Sequence, residues 1–422
     1  MDDHRLQILA SVCTRLVLGA YPLAFLLVFG WAFGKQAFDT AAAASNWANY
    51  LNVFLLSGFV LVPPAVARLR AARAQGDDRA DVRDHVALLR GLLAVGAIAA
   101  MVLWAVVDRA FPVLAASSGG ALEAWYPLLA ILALSQLPLT LWLGVAQATG
   151  RYRAALLWIA LPRAASLLLM ASGAWAGAGP SATIAASVAI VVVGQVMLAR
   201  TARKALAYID RDVLQEAGRA GAVLFKNVSA GAIGLVGTLV TIVPVTLVGR
   251  FLPAEVGYAH VVVTLSNAVG AVIVAAFFPI SLTLAERARE PDGLRRYSLY
   301  VARSVAIIGG LIIVVGWLVY ATCAGTSGAC SASLFGVGSL VVLGAGMRLG
   351  SLGVYHGAVL RGRPHLSLLS AVGEAIVVNL CTLLLIDDLG LMAIGVAFIA
   401  GGAVRLTTAL TLELPLVEET RR

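Results

Sequence analysis

Uninterrupted apolar segments of about 20 residues recur from one end of this 422-residue chain to the other. A helix of about that length crosses the roughly 30 Å hydrocarbon core of a bilayer. Only 13% of the residues are charged, which is about half the share of about 25% that soluble domains carry. The alternating runs of about ten residues that build membrane β-barrels do not occur in the sequence. The chain is therefore predicted to be an all-α polytopic membrane protein.

Twelve membrane spans are predicted from these segments. They lie at 10–33, 42–67, 86–108, 123–147, 154–175, 182–199, 223–249, 257–284, 300–321, 332–360, 366–386 and 390–414. The loops between them are too short to hold a separate globular domain. The first apolar segment is long and contains Arg15, so we expect no cleavable signal peptide.

The net charge of +9 is distributed very unevenly between the two sides of the predicted membrane. If the N-terminus is cytoplasmic, the inner segments hold 21 Lys or Arg residues and the outer loops hold only Lys35, Arg109 and Arg250. An excess of basic residues on the cytoplasmic side is what the positive-inside rule requires. Both termini are therefore predicted to be cytoplasmic, and nucleic acid is not expected as a partner.

The four cysteines fall into two groups. Cys13 and Cys381 lie within predicted spans and are read as small apolar residues. Cys323 and Cys330 share a predicted outer loop, where they could form a disulfide in an oxidising compartment or remain free thiols. The sequence shows no histidine near that pair, so no metal site is predicted there.

The two halves of the chain resemble each other at a few positions in and between their predicted helices. At an offset of 215, four pairs match: Gly34 with Gly249, Lys35 with Arg250, Asn52 with Asn267, and Pro64 with Pro279. Six spans per half give both copies the same orientation, which makes them parallel repeats about an axis along the membrane normal. We predict an N-terminal lobe (1–199), a cytoplasmic connector (200–222) and a C-terminal lobe (223–422), with twelve transmembrane helices in two parallel six-helix repeats around a central cavity.

Ionisable residues lie within several predicted spans. Placing Arg or Lys at the centre of a membrane helix costs about 2.5–3.5 kcal/mol, so such residues are expected to face a water-filled cavity or to pair with other groups. When residues near the helix ends are set aside, the basic residues are Arg15, Arg163, Lys226, Arg348 and Arg405, and one acid, Glu374, accompanies them.

The depth of each basic residue separates two interpretations. Arg15 and Lys226 lie near the cytoplasmic ends of their spans, where a long side chain can also reach the interface by snorkelling. Arg348 lies about 12 residues from the nearer end of its span, roughly 18 Å deep at 1.5 Å per residue, which is too far to snorkel. Arg163 and Arg405 lie at intermediate depth, and for these three arginines we favour a cavity.

A cavity with this excess of positive charge attracts anions and repels cations. Guanidinium groups match phosphate oxygens bidentately, so the five basic residues are predicted to bind a phosphorylated substrate. Glu374 is predicted either to pair with one of the arginines or to couple transport to protons. Asn52, Asn267 and His356 are further polar candidates for the cavity, and hydrogen bonding between helices is the alternative interpretation for each of them.

Glycines are concentrated in the predicted tenth span. Gly346 and Gly350, and then Gly353 and Gly357, are each four residues apart. Small residues at this spacing allow helices to approach closely. Close packing of this span is therefore predicted, and bending of the helix is the alternative.

The sequence contains no catalytic constellation and no nucleotide-binding P-loop. Its five histidines are scattered. We expect no enzymatic activity, no cofactor and no metal site.

Two stretches resemble a known family. "VPVTLVGRFLPAEVGYAHVVVTLSNAVGAVIVAAFFPISLTLAERAR" is similar to the seventh and eighth helices of Wzx-type polysaccharide flippases, in which an outer L-G-x-x-x-x-G-Y turn precedes a long helix that ends in proline. Gly249, Glu255, Gly257, Tyr258 and Pro279 match that form. "HGAVLRGRPHLSLLSAVGEAIVVNLCTLLLI" and the following "LGLMAIGVAF" resemble the last three helices of the same family.

The resemblance implies membership of the multidrug/oligosaccharidyl-lipid/polysaccharide (MOP) exporter superfamily, with two six-helix lobes that alternate between inward-open and outward-open forms. The polysaccharide branch moves undecaprenyl-pyrophosphate-linked oligosaccharides across the bacterial inner membrane. The expected partners are therefore an anionic lipid-linked oligosaccharide and membrane lipids, and a polysaccharide polymerase or glycosyltransferases are the further partners that such a function suggests.

Two other functions remain open at this point. One is a multidrug-type exporter of a soluble solute, although that branch usually relies on acidic residues and the first predicted span contains none. The other is a non-transporting membrane scaffold of an exopolysaccharide assembly complex. A scaffold of this kind predicts that every buried arginine is paired or snorkelled.

Overall fold

The computed structural model describes residues 3–52, 83–204, 228–267, 270, 293–327, 332–360 and 364–419. Throughout these ranges the chain is helical, with short turns and no strand. The predicted all-α fold is thus confirmed.

The described residues of the first half form eight α-helices. They are α1 (Asp3–Phe33), α2 (Lys35–Ala48), α3 (Arg83–Trp104), α4 (Val107–Ala110), α5 (Pro112–Ser117), α6 (Ala121–Ala148), α7 (Tyr152–Trp175) and α8 (Pro180–Arg203). A 3₁₀ turn at Asn49–Leu51 follows α2.

The second half continues with longer helices and one irregular turn. The helices are α9 (Val228–Phe251), α10 (256–267), α11 (Gly293–Ser327), α12 (Ala332–Gly350), α13 (Leu352–Leu360), α14 (Leu368–Leu389), α15 (Met392–Thr408) and α16 (Leu414–Glu419). A π-helical turn, Ala409–Glu413, joins α15 to α16.

Eight helical segments among the described residues are long and apolar enough to cross a membrane, and two shorter apolar helices, Leu89–Trp104 and Leu235–Phe251, accompany them. These ten segments coincide with ten of the twelve predicted spans. The second and eighth predicted spans lie largely outside the described residues. The chain is a multi-pass membrane protein.

The turn between the first two spans is much shorter than predicted. Gly34 alone separates α1 from α2, and its φ of +85° is a left-handed conformation that glycine adopts without strain. Lys35 and Asp39, expected in a loop, lie in the first turns of α2, where the Lys35 ammonium donates to Asp39 Oδ1 at 2.6 Å. Because the Lys35 ammonium compensates its charge, the Asp39 side chain can be buried in α2.

The chain folds into two compact units, Met1–Thr238 and Leu239–Arg422. In the N-terminal unit, α8 packs against α6 and α7, and α3 packs against α6. In the C-terminal unit, the corresponding pairs form, because α15 packs against α12 and α14, and α11 packs against α12. This agreement is consistent with a twelve-helix architecture of two repeats. Most of the predicted connector (200–222) lies outside the described residues.

An aromatic row on α1 forms part of the core of the N-terminal unit. Tyr21, Phe25 and Phe29 follow one another at four-residue spacing, so they lie on one face of the helix, and all three are buried. The Phe25 and Phe29 rings are stacked with centroids 6.1 Å apart, and Trp125 of α6 meets Phe29 edge-on at 5.5 Å. This aromatic contact links α1 to α6, while α1 packs mainly along α7.

Glycines allow α12 and α15 to touch in the C-terminal unit. A Cβ added at Gly344 would lie 2.3 Å from the carbonyl oxygen of Phe398, and one added at Gly402 would lie 2.3 Å from the carbonyl oxygen of Gly344. Gly350 and Gly353 also face close neighbours on α11 or α15, which confirms the predicted close packing of the tenth span. The tightest contact nevertheless lies at Gly344, outside the two predicted glycine pairs.

Candidate functional site

Arg163 is a deeply buried cation in the N-terminal unit. It lies in the middle of α7, and only 2% of its surface is exposed. Its Nη1 donates to the carbonyl oxygen of Ile159 at 3.1 Å, one turn earlier in the same helix. The guanidinium carbon lies 5.4 Å from the centroid of the Tyr21 ring, which is within the range of a cation–π contact.

The polar surroundings of Arg163 are hydroxyl groups rather than carboxylates. Tyr21 and Ser166 share a hydrogen bond of 2.7 Å between their hydroxyl oxygens, and the Ser187 hydroxyl donates to the carbonyl oxygen of Ser166 at 3.4 Å. Within the part of the chain that the structure describes, no acidic side chain pairs with Arg163, and its Nε has no hydrogen-bond partner. The positive charge of this arginine is therefore not neutralised by those residues.

The local sequence explains how α7 and α8 enclose this position. A Cβ at Gly194 of α8 would lie 2.2 Å from Cγ of Pro162 and 2.8 Å from the carbonyl oxygen of Trp158. Because Gly194 lacks a Cβ, α8 can press against α7 directly beside Arg163. The neighbouring Gln195 is also buried, and neither of its side-chain polar atoms has a hydrogen-bond partner among the described residues.

The C-terminal unit brings Arg348, Glu374 and Arg405 together from three helices, α12, α14 and α15. Arg405 Nη1 donates to Glu374 Oε2 at 2.7 Å, and Arg405 Nε donates to Ser351 Oγ at 3.2 Å. Only 3% of the Glu374 side chain and 11% of the Arg405 side chain are exposed. The predicted pairing of Glu374 with an arginine is thus observed. Two guanidinium nitrogens of Arg405, Nε and Nη1, have hydrogen-bond partners.

Arg348 contacts the same carboxylate much more loosely. Its Nε lies 3.9 Å from Glu374 Oε1, a distance beyond hydrogen-bond range. The described residues show no hydrogen bond from the Arg348 guanidinium, and 16% of its side chain is exposed. The N–H groups of Arg348 therefore have no hydrogen-bond partner among the described residues, whereas Arg405 donates to Glu374 and Ser351.

A break in the tenth span lies at this cluster. The sequence predicted one span over 332–360 and left bending of its helix open, and in the structure α12 ends at Gly350 and α13 begins at Leu352. Ser351 at the break donates from its hydroxyl to the carbonyl oxygen of Arg348 at 2.7 Å and accepts from Arg405 Nε. The serine thereby links the interrupted helix to α15.

Glu413 is a second buried acid in the C-terminal unit, in addition to the predicted Glu374. Only 1% of its surface is exposed. Its carboxylate accepts from the Ser370 backbone N–H at 2.8 Å and from the Ser370 hydroxyl at 3.0 Å. It also interacts electrostatically with Arg405.

The π-helical turn explains why Glu413 points inward. Glu413 follows Arg405 by eight residues, so a regular α-helix would place the two about 80° apart around its axis at 3.6 residues per turn. The extra residue that a π-turn accommodates reduces the effective spacing to about seven, which leaves them only about 20° apart. No sequence signal indicates such a turn, and Glu413 is therefore absent from the residues predicted from sequence.

The remaining predicted residues are placed as follows. Arg15 lies in α1 and His356 in α13, but their side chains are outside the described residues, as is Lys226 altogether. Asn52 donates to Asn49 Oδ1 at 3.0 Å within its own turn. Asn267 is exposed at the end of α10. The proposed Cys323–Cys330 disulfide also falls outside the described side chains.

The two units differ in how their buried charges are balanced. In the C-terminal unit, Glu374 pairs with Arg405 and lies near Arg348, and Glu413 interacts with Arg405. In the N-terminal unit, Arg163 faces no acid among the described residues. Among the described residues, the positive excess expected from sequence is thus reduced in the C-terminal unit, whereas Arg163 in the N-terminal unit remains without an acidic partner.

Solved structures with a similar fold are membrane transporters. The eukaryotic MATE transporter AtDTX14 aligns with a TM-score of 0.70 at 13% identity, over 99% of this chain and 98% of that one. A multidrug resistance MATE family transporter of the MOP superfamily, in its outward-facing conformation, aligns at 0.60 and 14%, over 100% and 97%. A MOP superfamily transporter from Pyrococcus furiosus Vc1, whose binding pocket has reversed polarity, aligns at 0.55 and 12%, over 99% and 96%.

No protein-family model matches the chain, and no curated protein matches it. Because the identities to the solved structures are low, the likeness establishes the fold. The chain has the fold of MATE transporters, which are members of the MOP superfamily.

Proposed function

We propose that the protein is a membrane exporter of the MOP type that carries an undecaprenyl-pyrophosphate-linked oligosaccharide from the inner to the outer leaflet of the bacterial inner membrane by alternating access. The observation that carries this proposal is Arg163, a buried guanidinium without an acidic partner among the described residues. A permanent charge in that position is costly unless an anion or water compensates it. A phosphoryl head group provides that compensation.

The chemistry of the surroundings supports an anionic ligand over a cationic one. Arg163 offers an unpartnered N–H, and the hydroxyl groups of Tyr21 and Ser166 lie at the same level of the N-terminal unit. These groups donate hydrogen bonds, as a phosphate requires. A cationic drug would be repelled by the arginine.

The alternative, a multidrug-type exporter, fits the fold equally well, since similar structures include multidrug transporters. The reversed pocket polarity of the Pyrococcus furiosus transporter was taken to suggest a different function for that protein. Charge is therefore the property on which the two functions differ in this fold. The third possibility, a scaffold in which all arginines are paired, is disfavoured by Arg163.

Replacing Arg163 by glutamine is expected to weaken binding of an undecaprenyl-pyrophosphate oligosaccharide at least about tenfold, because a hydrogen bond to a charged group is lost together with the charge. The measurement is the dissociation constant of the purified protein in nanodiscs of uncharged lipid. Arg153→Gln is the matched control, since Arg153 lies on the same helix but is exposed, and its affinity should remain that of the wild type.

A second ligand separates the two exporter hypotheses. A cationic dye such as rhodamine 6G should bind neither the wild type nor the control variant with appreciable affinity. Dye binding that improves in Arg163→Gln, together with no binding of the lipid pyrophosphate, would show that the protein is a multidrug-type exporter instead.

A further inference from the structure

Arg348 and Arg405 of the C-terminal unit share one carboxylate but differ in their freedom to bind a ligand. Arg405 is held by Glu374 Oε2 at 2.7 Å and by Ser351 Oγ at 3.2 Å. Arg348 lies 3.9 Å from Glu374 Oε1 and donates no hydrogen bond among the described residues. Arg405 therefore supports the cluster, whereas Arg348 has donors available for a phosphoryl group.

The carboxylate of Glu374 acts on Arg348 although the two do not form a hydrogen bond. Opposite charges about 4 Å apart still attract each other substantially when water is largely excluded. Glu374 is almost fully buried, so solvent screens it little. Any anion that approaches Arg348 consequently meets a guanidinium whose charge is already partly offset.

A transporter benefits from such an offset. A substrate must bind strongly enough to enter the site but weakly enough to leave on the other side. Two open guanidinium groups in a buried site would hold a pyrophosphate tightly, since each can form bidentate bonds with its oxygens. A fixed carboxylate beside them lowers that affinity without closing the site.

We propose that Glu374 is a specificity-determining residue that limits the affinity of the C-terminal unit for a phosphoryl head group, with Arg348 as the group that contacts the ligand. This inference rests on the proposed function. Glu374 achieves the effect by fixing Arg405 through a direct bond and by offsetting the charge of Arg348 at 3.9 Å. Glu413, held on Ser370, is a further acidic group that interacts with Arg405.

The test measures dissociation constants of two probes with the same tail, undecaprenyl phosphate and undecaprenyl pyrophosphate, in nanodiscs of uncharged lipid. Glu374→Gln keeps the shape of the side chain and an oxygen that can accept from Arg405, but removes the charge. The variant is expected to bind the pyrophosphate about tenfold more tightly than the wild type. The gain should be smaller for the phosphate, because its charge is lower.

Two variants identify the source of this gain. The double variant Glu374→Gln/Arg348→Gln should lose it, since the open guanidinium is gone. Asp387→Asn, which removes an exposed acid from the same helix, should leave both dissociation constants unchanged. In proteoliposomes, Glu374→Gln should also transport more slowly than the wild type because release is slower.

An unchanged or weakened affinity in folded Glu374→Gln would overturn the inference. If that variant does not fold, Arg348→Gln tests the same claim with the Glu374–Arg405 bond intact, and an unchanged affinity for the pyrophosphate would overturn it. Failure of the proposed function looks different, because the wild type would then bind neither probe or would bind them independently of Arg163.

Discussion

Gly344→Ala is expected to lower the free energy of unfolding by about 3 kcal/mol, at the upper end of the range for overpacked cores. The added methyl group would lie 2.3 Å from both the carbonyl carbon and the carbonyl oxygen of Phe398. These are backbone atoms of α15, so no side-chain rotation can relieve the clash. The two helices would have to move apart, and the reciprocal contact at Gly402 would be lost with them.

The measurement is denaturant or thermal unfolding in detergent micelles. Gly338→Ala is the matched control, because Gly338 lies on the same helix and a Cβ there meets nothing within 4 Å. Alanine is a better helix former than glycine, by about 1 kcal/mol, so the control should be neutral or more stable. Equal stability of the two variants would show that α12 and α15 do not touch at Gly344.

Arg405→Met is expected to destabilise the protein by about 3 kcal/mol, because removing one member of a buried ion pair leaves the other uncompensated. The cost should lie at the lower end of the usual range for such pairs, since Arg348 remains near Glu374. The variant also removes the bond to Ser351 at the helix break. Unfolding measurements in micelles give the magnitude.

A double-mutant cycle isolates the pair. Glu374→Gln/Arg405→Met should recover at least about 1 kcal/mol relative to the sum of the single losses, because the residual carboxylate charge is gone. Arg295→Met, which removes an exposed cation from α11, should change stability by less than about 1 kcal/mol. Strict additivity in the cycle would contradict an energetic role for the Arg405–Glu374 bond.

The interior of the C-terminal unit shows where sequence reasoning reached its limit. The glycine pairs of the tenth span correctly predicted close packing, because small residues at four-residue spacing lie on one face of a helix. Spacing along one helix does not show which partner that face meets. The tightest contact, between Gly344 and Gly402, therefore emerged only from the arrangement of α12 and α15.

For the buried charges, too, the sequence predicted one part of the arrangement and the tertiary structure decided the other. The sequence predicted that Arg163, Arg348 and Arg405 lie deep in the membrane, from their distance along apolar segments. Which of them is neutralised depends on the helices that pack beside each one. Glu374 meets both Arg348 and Arg405, whereas Arg163 lies against the ring of Tyr21, whose hydroxyl group is hydrogen-bonded to Ser166.

The sequence by itself determined that this protein is a helical, multi-pass membrane protein, because the bilayer demands long apolar helices and leaves a direct signal in composition. It also located most spans and named the buried arginines. Only the tertiary structure decided how their charges are balanced, since pairing depends on neighbours distant in the chain and on a π-turn that rotates Glu413 inward. A π-turn of this kind leaves the hydropathy pattern of the segment unchanged. The pattern that located the spans therefore could not predict it.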